Sequence, residues 1–326
     1  MSGYVTPGLW DEAELAREIE AAVAGDGPVV VGPWLSEVGF ELLYWIPFVA
    51  AICQRHAVDP ARLTVVSRGG VASWYAGLAD QYVEIFDHCT ADDFRLAGEG
   101  RQQRQAGSQK QFHVDDFDLA LLDRMGLGGV RLLHPSLMYR AFHPYFAGHR
   151  PQAFLREHLK FTSATAPDHP ILAELPASYA VVKFYTRPSF PADAANRALV
   201  EGYVRRLAEQ QPVVVLDHPH AVDDHGHFSI APGPNVHHVG KAMTLADNLG
   251  LQTAVLSRAS MFTGTYGGFC YLPMRLAKPA IGLMSQSDQV LGVHGAALFG
   301  MSEALDGSLT LLQADAFRHF SNLWTA

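Results

Sequence analysis

The segment Phe262-Thr263-Gly264-Thr265-Tyr266-Gly267-Gly268-Phe269 sets two threonine hydroxyls and three glycines between two apolar runs. Glycine lets a backbone approach a ligand with no Cβ in the way. Hydroxyls beside the free amides of a helix start suit a phosphate. The stretch lacks the G-x-G-x-x-G that opens a dinucleotide-binding unit, and no Gly-Lys-Ser/Thr makes it a Walker loop. Two readings stand: an anion-holding strand-to-helix turn made by Thr263, Gly264, Thr265, Tyr266, Gly267 and Gly268, and a tight turn where a helix packs closely on a sheet.

Three other stretches carry residues able to do chemistry. In Val181–Pro188 a strand ends in two cations. Lys183 lies inside an apolar run, where a charge is costly without an anionic partner. Arg187 lies at the strand's carboxyl end, where a guanidinium can grip phosphate in two-toothed fashion. The stretch Pro33-Trp34-Leu35-Ser36-Glu37-Val38-Gly39-Phe40-Glu41 follows the first strand, at the strand end where open α/β sheets bind ligands. There Glu37 is either a general base or a helix cap, and Glu41 is a first-turn helix charge. The loop Asp217–His227 is rich in His and Asp, which are metal ligands. It has no H-x-x-x-H or H-E-x-x-H pattern, so a hydrogen-bonded loop is the favoured reading.

Regular elements must position these groups. The chain has 326 residues, 48% apolar and 17% charged, which describes a globular protein large enough for two domains. Its formal charge of −9 argues against a non-specific nucleic-acid coat. Cys53, Cys89 and Cys270 are too scattered for a disulfide framework or thiolate zinc site. The amino terminus has no signal-peptide pattern, and no apolar run is of bilayer length, so the expected compartment is the cytoplasm.

Helical spacing over 10–24 is followed by an apolar run at Val29–Gly32, a helix over 40–55, a strand at Leu63–Ser67, a short helix over 71–78 and a strand at Tyr82–Phe86. Residues 92–111 lose apolar periodicity and read as a mobile loop or solvated helix. Its Arg101, Arg104 and Lys110 make an anion site one option and a plain exposed insertion the favoured one. Helices are expected across 134–165 and a proline-rich linker over 162–176. Alternation then resumes through strands at 179–185, 213–216, 236–239 and 278–283, with helices over 192–210 and 247–259. The expected fold is α/β: two doubly wound parallel-sheet (Rossmann-like) domains facing a cleft. Their bounds are 1–165 and 166–326, with a return of the tail helix 314–324 to the first domain left open.

From about Tyr179 to Leu283 the chain resembles the donor-binding domain of GT-B glycosyltransferases. The likeness rests on Lys183 and Arg187 at a strand end, the loop after Leu216, the helix opened by Asn248–Gln252, and the Thr263–Gly268 turn. The first half looks like the acceptor domain of that class, with Glu37 where an inverting member keeps its base. The heptosyltransferase and fucosyltransferase-like branches are nearest, with bacterial proteins carrying a similar Glu-Val-Gly-Phe-Glu segment. The paired Glu residues of retaining members are missing from the donor half. The resemblance implies a nucleotide-sugar donor as co-substrate, no obligatory metal or other cofactor, and a small-molecule, glycan or other hydroxyl acceptor. Arg187, Lys183 and the turn would stabilise the leaving diphosphate. A fold does not settle chemistry: sugar-nucleotide epimerases and pyruvyl transferases share it. A metal-dependent hydrolase built on the 217–227 loop and a non-catalytic nucleotide-binding protein are the alternatives.

Overall fold

A computed structural model describes residues 11–104, 110–217, 220, 226–290 and 292–315. The chain forms two compact units. The first runs to Thr162 and also takes Leu245–Asp247; the second holds Ser163–Thr244 and everything from Asn248.

The first unit opens with α1 (Glu12–Val23), started by the Asp11 carboxylate accepting from the amides of Ala13 and Glu14 at 2.8 and 3.4 Å. Its sheet comprises β1 (Val29–Val31), β2 (Leu63–Ser67), β3 (Gln81–Glu84) and β4 (Arg131–Leu133), all parallel, in the order β3-β2-β1-β4. β1 and β2 are buried along their whole length, as unbroken valine-rich runs are in central parallel strands. Gly32 follows β1 with φ +130°, and a Cβ there would strike the Val66 carbonyl oxygen. Only glycine fits that close approach.

Between β1 and β2 lie α2 (Val38–Phe40), a π-helical turn (Glu41–Trp45) and α3 (Ile46–His56). Further on come α4 (Ala91–Arg104), α5 (Asp116–Arg124), α6 (Pro135–Phe146) and α7 (Ala153–His158). The polar run expected to be loop or solvated helix is therefore largely α4. Its Arg101 is only 1% exposed, so the segment is no plain surface insertion. β4 was not foreseen, because this three-residue edge strand buries only Leu133 fully and carries little apolar signal.

The second unit is a six-stranded parallel sheet in the order β10-β9-β8-β5-β6-β7. In chain order its elements are β5 (Ala180–Lys183), α8 (Ala194–Gln210), β6 (Val213–Val215), β7 (Val236–His238), α9 (Asn248–Arg258), β8 (Met261–Thr265), α10 (Tyr271–Arg275), β9 (Pro279–Met284), α11 (Gly295–Ala304) and β10 (Ser308–Gln313). The Asp193 carboxylate caps α8 through the Asn196 amide at 2.7 Å. Val182, Phe184, Phe190, Val200, Val204 and Val215 pack α8 onto the sheet. β10, an edge strand with exposed residues, also escaped the sequence reading.

Both units are doubly wound α/β sheets, as expected. Numbered within its own unit, the second sheet reads 3-2-1-4-5-6, the order of dinucleotide-binding folds. Its winding reverses between β5 and β8; in the first sheet it reverses between β1 and β4. Except for Ala314 and Asp315, the tail 314–324 lies outside the described residues. Among the described residues no helix is long and apolar enough to cross a membrane.

Candidate functional site

In the second unit the strands flanking the reversal end in Lys183 and Thr265, and Lys183 pairs in register with Gly264. Chains of this topology receive ligands outside the carboxyl ends of those two strands. Beyond β5, residues Arg187 to Phe190 form a tight turn, closed by Phe190 N to Arg187 O at 2.9 Å and Arg187 N to Phe190 O at 3.2 Å. This turn aims the half-buried Arg187 at the glycine segment: a Cβ on Gly267 would lie 2.9 Å from Arg187 Nη1 and would strike the Tyr185 hydroxyl. Gly267 has an extended backbone, so its glycine answers to this crowding and not to its φ of 169°. The Arg187 side chain makes no hydrogen bond or ion pair among the described residues.

The other expected ligands divide into groups whose amides take no backbone acceptor outside their own turn and groups the scaffold uses. Thr265 Oγ1 accepts from the Tyr185 amide at 3.0 Å and donates to the Tyr185 carbonyl at 2.7 Å, stitching β8 to the extension of β5. Thr263 Oγ1 lies 2.8 Å from the Tyr203 hydroxyl of α8. Both threonines are fully buried. Gly264 lies where a Cβ would strike the Lys183 carbonyl, so it too serves strand contact. The Tyr266 amide donates to Leu283 O at 2.8 Å, and burial raises the affinity of its phenol for the proton. Gly267 and Gly268 open a short 3-10 turn, and their amides take no backbone acceptor outside it. The structure thus gathers Arg187, Gly267 and Gly268, while Thr265 and Gly264 serve strand-to-strand contact and Thr263 ties β8 to α8.

Lys183, 7% exposed, sits beneath this surface. Its Nζ donates to Gln252 Oε1 at 2.5 Å and Leu216 O at 3.4 Å, and stands 4.6 Å from the centre of the Phe269 ring. Gln252, which the sequence offered only as part of the opening of α9, and Tyr185, which it did not single out, are further site components. Their signal is positional: each faces the reversal point only once the strand order is known. Cys270 donates to Thr265 O at 3.3 Å, and burial pushes its thiol up to about 12, which disfavours the thiolate near neutral pH.

In the first unit the segment after β1 is clamped atom by atom. Gln111, wholly buried, accepts from the Leu35 amide at 2.9 Å and donates to Pro33 O at 2.9 Å. Trp34 N donates to Val66 O at 2.9 Å, Arg68 Nη2 to Ser36 O at 3.2 Å, and the Tyr139 hydroxyl to Ser36 Oγ at 2.9 Å. Glu37 is the first exposed residue after this clamp. It occupies the cap position of α2 but makes no side-chain cap bond, so the capping reading does not describe it. Glu41 lies in a first turn, as expected, but does not face solvent. It is fully buried in the π-helical turn and accepts from Ser67 Oγ at 2.6 Å and the Tyr75 hydroxyl at 2.7 Å.

Of the 217–227 loop, residues 218, 219 and 221–225 lie outside the described residues. Asp217 Oδ2 is 3.0 Å from His238 Nδ1, and His220 Nε2 is 3.1 Å from Met243 O. The absence of Asp-x-Asp expected from the sequence, which set the metal-dependent GT-A class aside, is corrected: Asp116-Phe117-Asp118 has that spacing. Its buried Asp118 accepts from the Asp115 amide at 2.9 Å and lies 3.2 Å from His134 Nε2. Among the described residues no group of three or more His, Cys, Asp or Glu could hold a metal ion.

No family model and no curated protein matches the chain. Among solved structures it is similar to the glycosyl transferase family 9 protein from Veillonella parvula DSM 2008, at 12% identity over 93% of this chain and 90% of that one, with a TM-score of 0.46. It is similar to the E. coli heptosyltransferase WaaC with ADP at 15% identity, over 90% and 98% of the two chains, with a TM-score of 0.43. The UDP-GlcNAc 2-epimerase from Methanocaldococcus jannaschii is similar at 9% identity, over 85% and 91%, with a TM-score of 0.36. At these levels of likeness none of them assigns a role to a residue here.

Proposed function

We propose that the protein is a glycosyltransferase that moves a sugar from a nucleotide-sugar donor to an acceptor hydroxyl, with inversion and without an obligatory metal. The observation that carries this reading is the unpaired Arg187 guanidinium set against Gly267 at the winding reversal of a 3-2-1-4-5-6 sheet. A cation with free donors beside glycine amides suits a diphosphate, whose charge grows as the sugar leaves. Lys183 adds positive charge behind the turn. Glu37, exposed on a rigidly held segment at the reversal of the other sheet, is the base that removes the acceptor's proton.

In the proposed step the acceptor oxygen forms a bond to the anomeric carbon while the bond from that carbon to the diphosphate breaks. The hydroxyl proton passes to Glu37, and the electron pair leaves with the diphosphate. Calorimetric titration with nucleoside diphosphates and their sugar conjugates tests the reading. Saturable binding of at least one such pair is expected. Absence of binding across the common bases would overturn it.

A further inference from the structure

We propose that the first unit has an anion site of its own, built on Arg68, which receives a carboxylate or phosphate borne by the acceptor; that the ligand is an acceptor rests on the transferase reading above. Arg68 directly follows β2 at the carboxyl end of the sheet and is 4% exposed. Its Nη2 holds Ser36 O, its guanidinium carbon lies 5.1 Å from the centre of the Phe94 ring, and its buried Nε has no partner among the described residues. It forms no ion pair among those residues.

The contrast with Arg101 is instructive. Arg101 is equally buried and reaches the neighbouring carbonyl, Leu35 O, at 3.5 Å, but it has a counter-ion in Asp115 at 3.3 Å. A guanidinium does not shed its proton in a protein, and a buried charge without an opposite partner is strongly destabilising. Two carboxylates near this strand end are engaged by other groups. Glu41 accepts from Ser67 and Tyr75, and Glu84 accepts from the Gly69 and Gly70 amides at 2.9 and 2.8 Å and from the Tyr82 hydroxyl at 2.7 Å. Arg68 thus keeps an unused donor and no ion-pair partner among the described residues, one residue away from Glu37, because the carbonyl it grips belongs to Ser36. An acidic group seated on Arg68 would bring the hydroxyl of the same molecule toward the Glu37 carboxylate. Carboxylate and phosphate share the planar or forked acceptor geometry that a guanidinium matches.

Backbone-amide NMR titrations of the whole protein with acetate and, separately, inorganic phosphate test this. Sodium chloride at equal ionic strength serves as the control. The amides of Leu35, Ser36 and Glu37 report on the Arg68 site, and those of Gly267 and Gly268 on the second unit. Acetate, phosphate or both should shift the first set saturably, and the stronger of the two identifies the acid. Arg68→Gln should weaken that response by at least about tenfold, the loss of one charge-assisted hydrogen bond, without altering the Gly267 and Gly268 response. Arg187→Ala should do the reverse. Arg68→Lys keeps the charge and loses the fork; it gives the same reading of the lost grip if Arg68→Gln does not fold. An unchanged response in both Arg68 variants, or equal shifts with sodium chloride, overturns the proposal. Silence at Gly267 and Gly268 alone counts against the transferase reading and leaves the Arg68 site standing.

Discussion

Arg187 and Glu37 differ from most of the charged residues around them in one respect: the fold has not used their side chains. The Arg187 guanidinium fills the space that a side chain on Gly267 would need and bonds no described group, and Glu37 is exposed with no cap bond. Removing either should therefore affect ligands far more than stability. Arg187→Ala is expected to weaken nucleoside-diphosphate binding by about 1.5–3 kcal/mol, the range for charge-assisted hydrogen bonds. Calorimetry reads the loss, and an unaltered melting temperature shows that the fold is intact. Glu37→Gln preserves shape and removes basicity, so turnover should fall by roughly 10²–10⁴-fold while donor affinity holds. Steady-state kinetics with an acceptor in hand separates the two quantities. Normal turnover by this variant would remove Glu37 from the role. At this scale the sequence was partly legible. Arg187 and Glu37 were visible as charges at strand ends, whereas the hydroxyls of Thr263 and Thr265 looked like ligands and are engaged within the fold, Thr263 with Tyr203 of α8 and Thr265 with the backbone of Tyr185. A hydroxyl's partner lies across the sheet, where local sequence carries no trace of it.

The element that holds Glu37 is a short segment fixed by groups far along the chain. Gln111 and Arg101 reach it from beyond β3, and Arg101 is anchored by Asp115, which also caps α5. Burial alone would raise the Asp115 carboxyl, but the Asp118 amide and the Arg101 charge outweigh it and hold the group below the usual carboxylate range. A depressed folded value means that the unfolded chain binds more protons as the solution is acidified. The contribution is therefore full above the unfolded value, about pH 4, and is lost as pH falls through the lower folded value. Asp115→Asn should destabilise the protein at neutral pH by about 3–5 kcal/mol, because it strands the buried Arg101. It should also flatten the acid limb of the unfolding curve relative to the parent. Glu84 works in the opposite sense: burial raises it, so its contribution is present at low pH and fades as pH rises. The informative quantity is thus the difference between the variant and parent urea-unfolding curves across pH 2–7, not either profile alone. A variant that loses stability in parallel with its parent at every pH would show that Asp115 is not the group responsible. The periodicity of α1, α8 and α9 announced these helices, whereas α4 hid behind polar letters because the partners of its buried arginine, a carbonyl and a carboxylate, lie far along the chain.

Across the whole molecule, two parallel sheets that share the strand order 3-2-1-4 carry different kinds of charge at their reversal points. The first has Glu37 exposed beyond β1; the second has Arg187 and Lys183 beyond and at the end of β5. Nucleoside-diphosphate binding should accordingly slow amide hydrogen exchange at the ends of β5 and β8, at Gly267–Cys270 and in the first turn of α9. The sheet of the first unit should be unaffected by the nucleotide alone. Exchange mass spectrometry resolves these segments. Protection confined to the first unit would reverse the proposed division of labour.

Alternating valine-rich runs and amphipathic stretches were enough to determine an α/β chain with two parallel sheets, because burial on both faces of a parallel strand leaves a continuous apolar signature. Only the tertiary structure decided which strands are neighbours. Strand order depends on how crossovers wind, and nothing in the letters of β5 says that β6 and β8 flank it. That order brings Lys183, Arg187 and Gly267 to one place from positions far apart in the chain, and it puts Arg68 behind Ser36. Buried polar partners followed the same rule: Gln111, Gln252 and Arg68 have the composition of surface residues, and only long-range packing placed them inside.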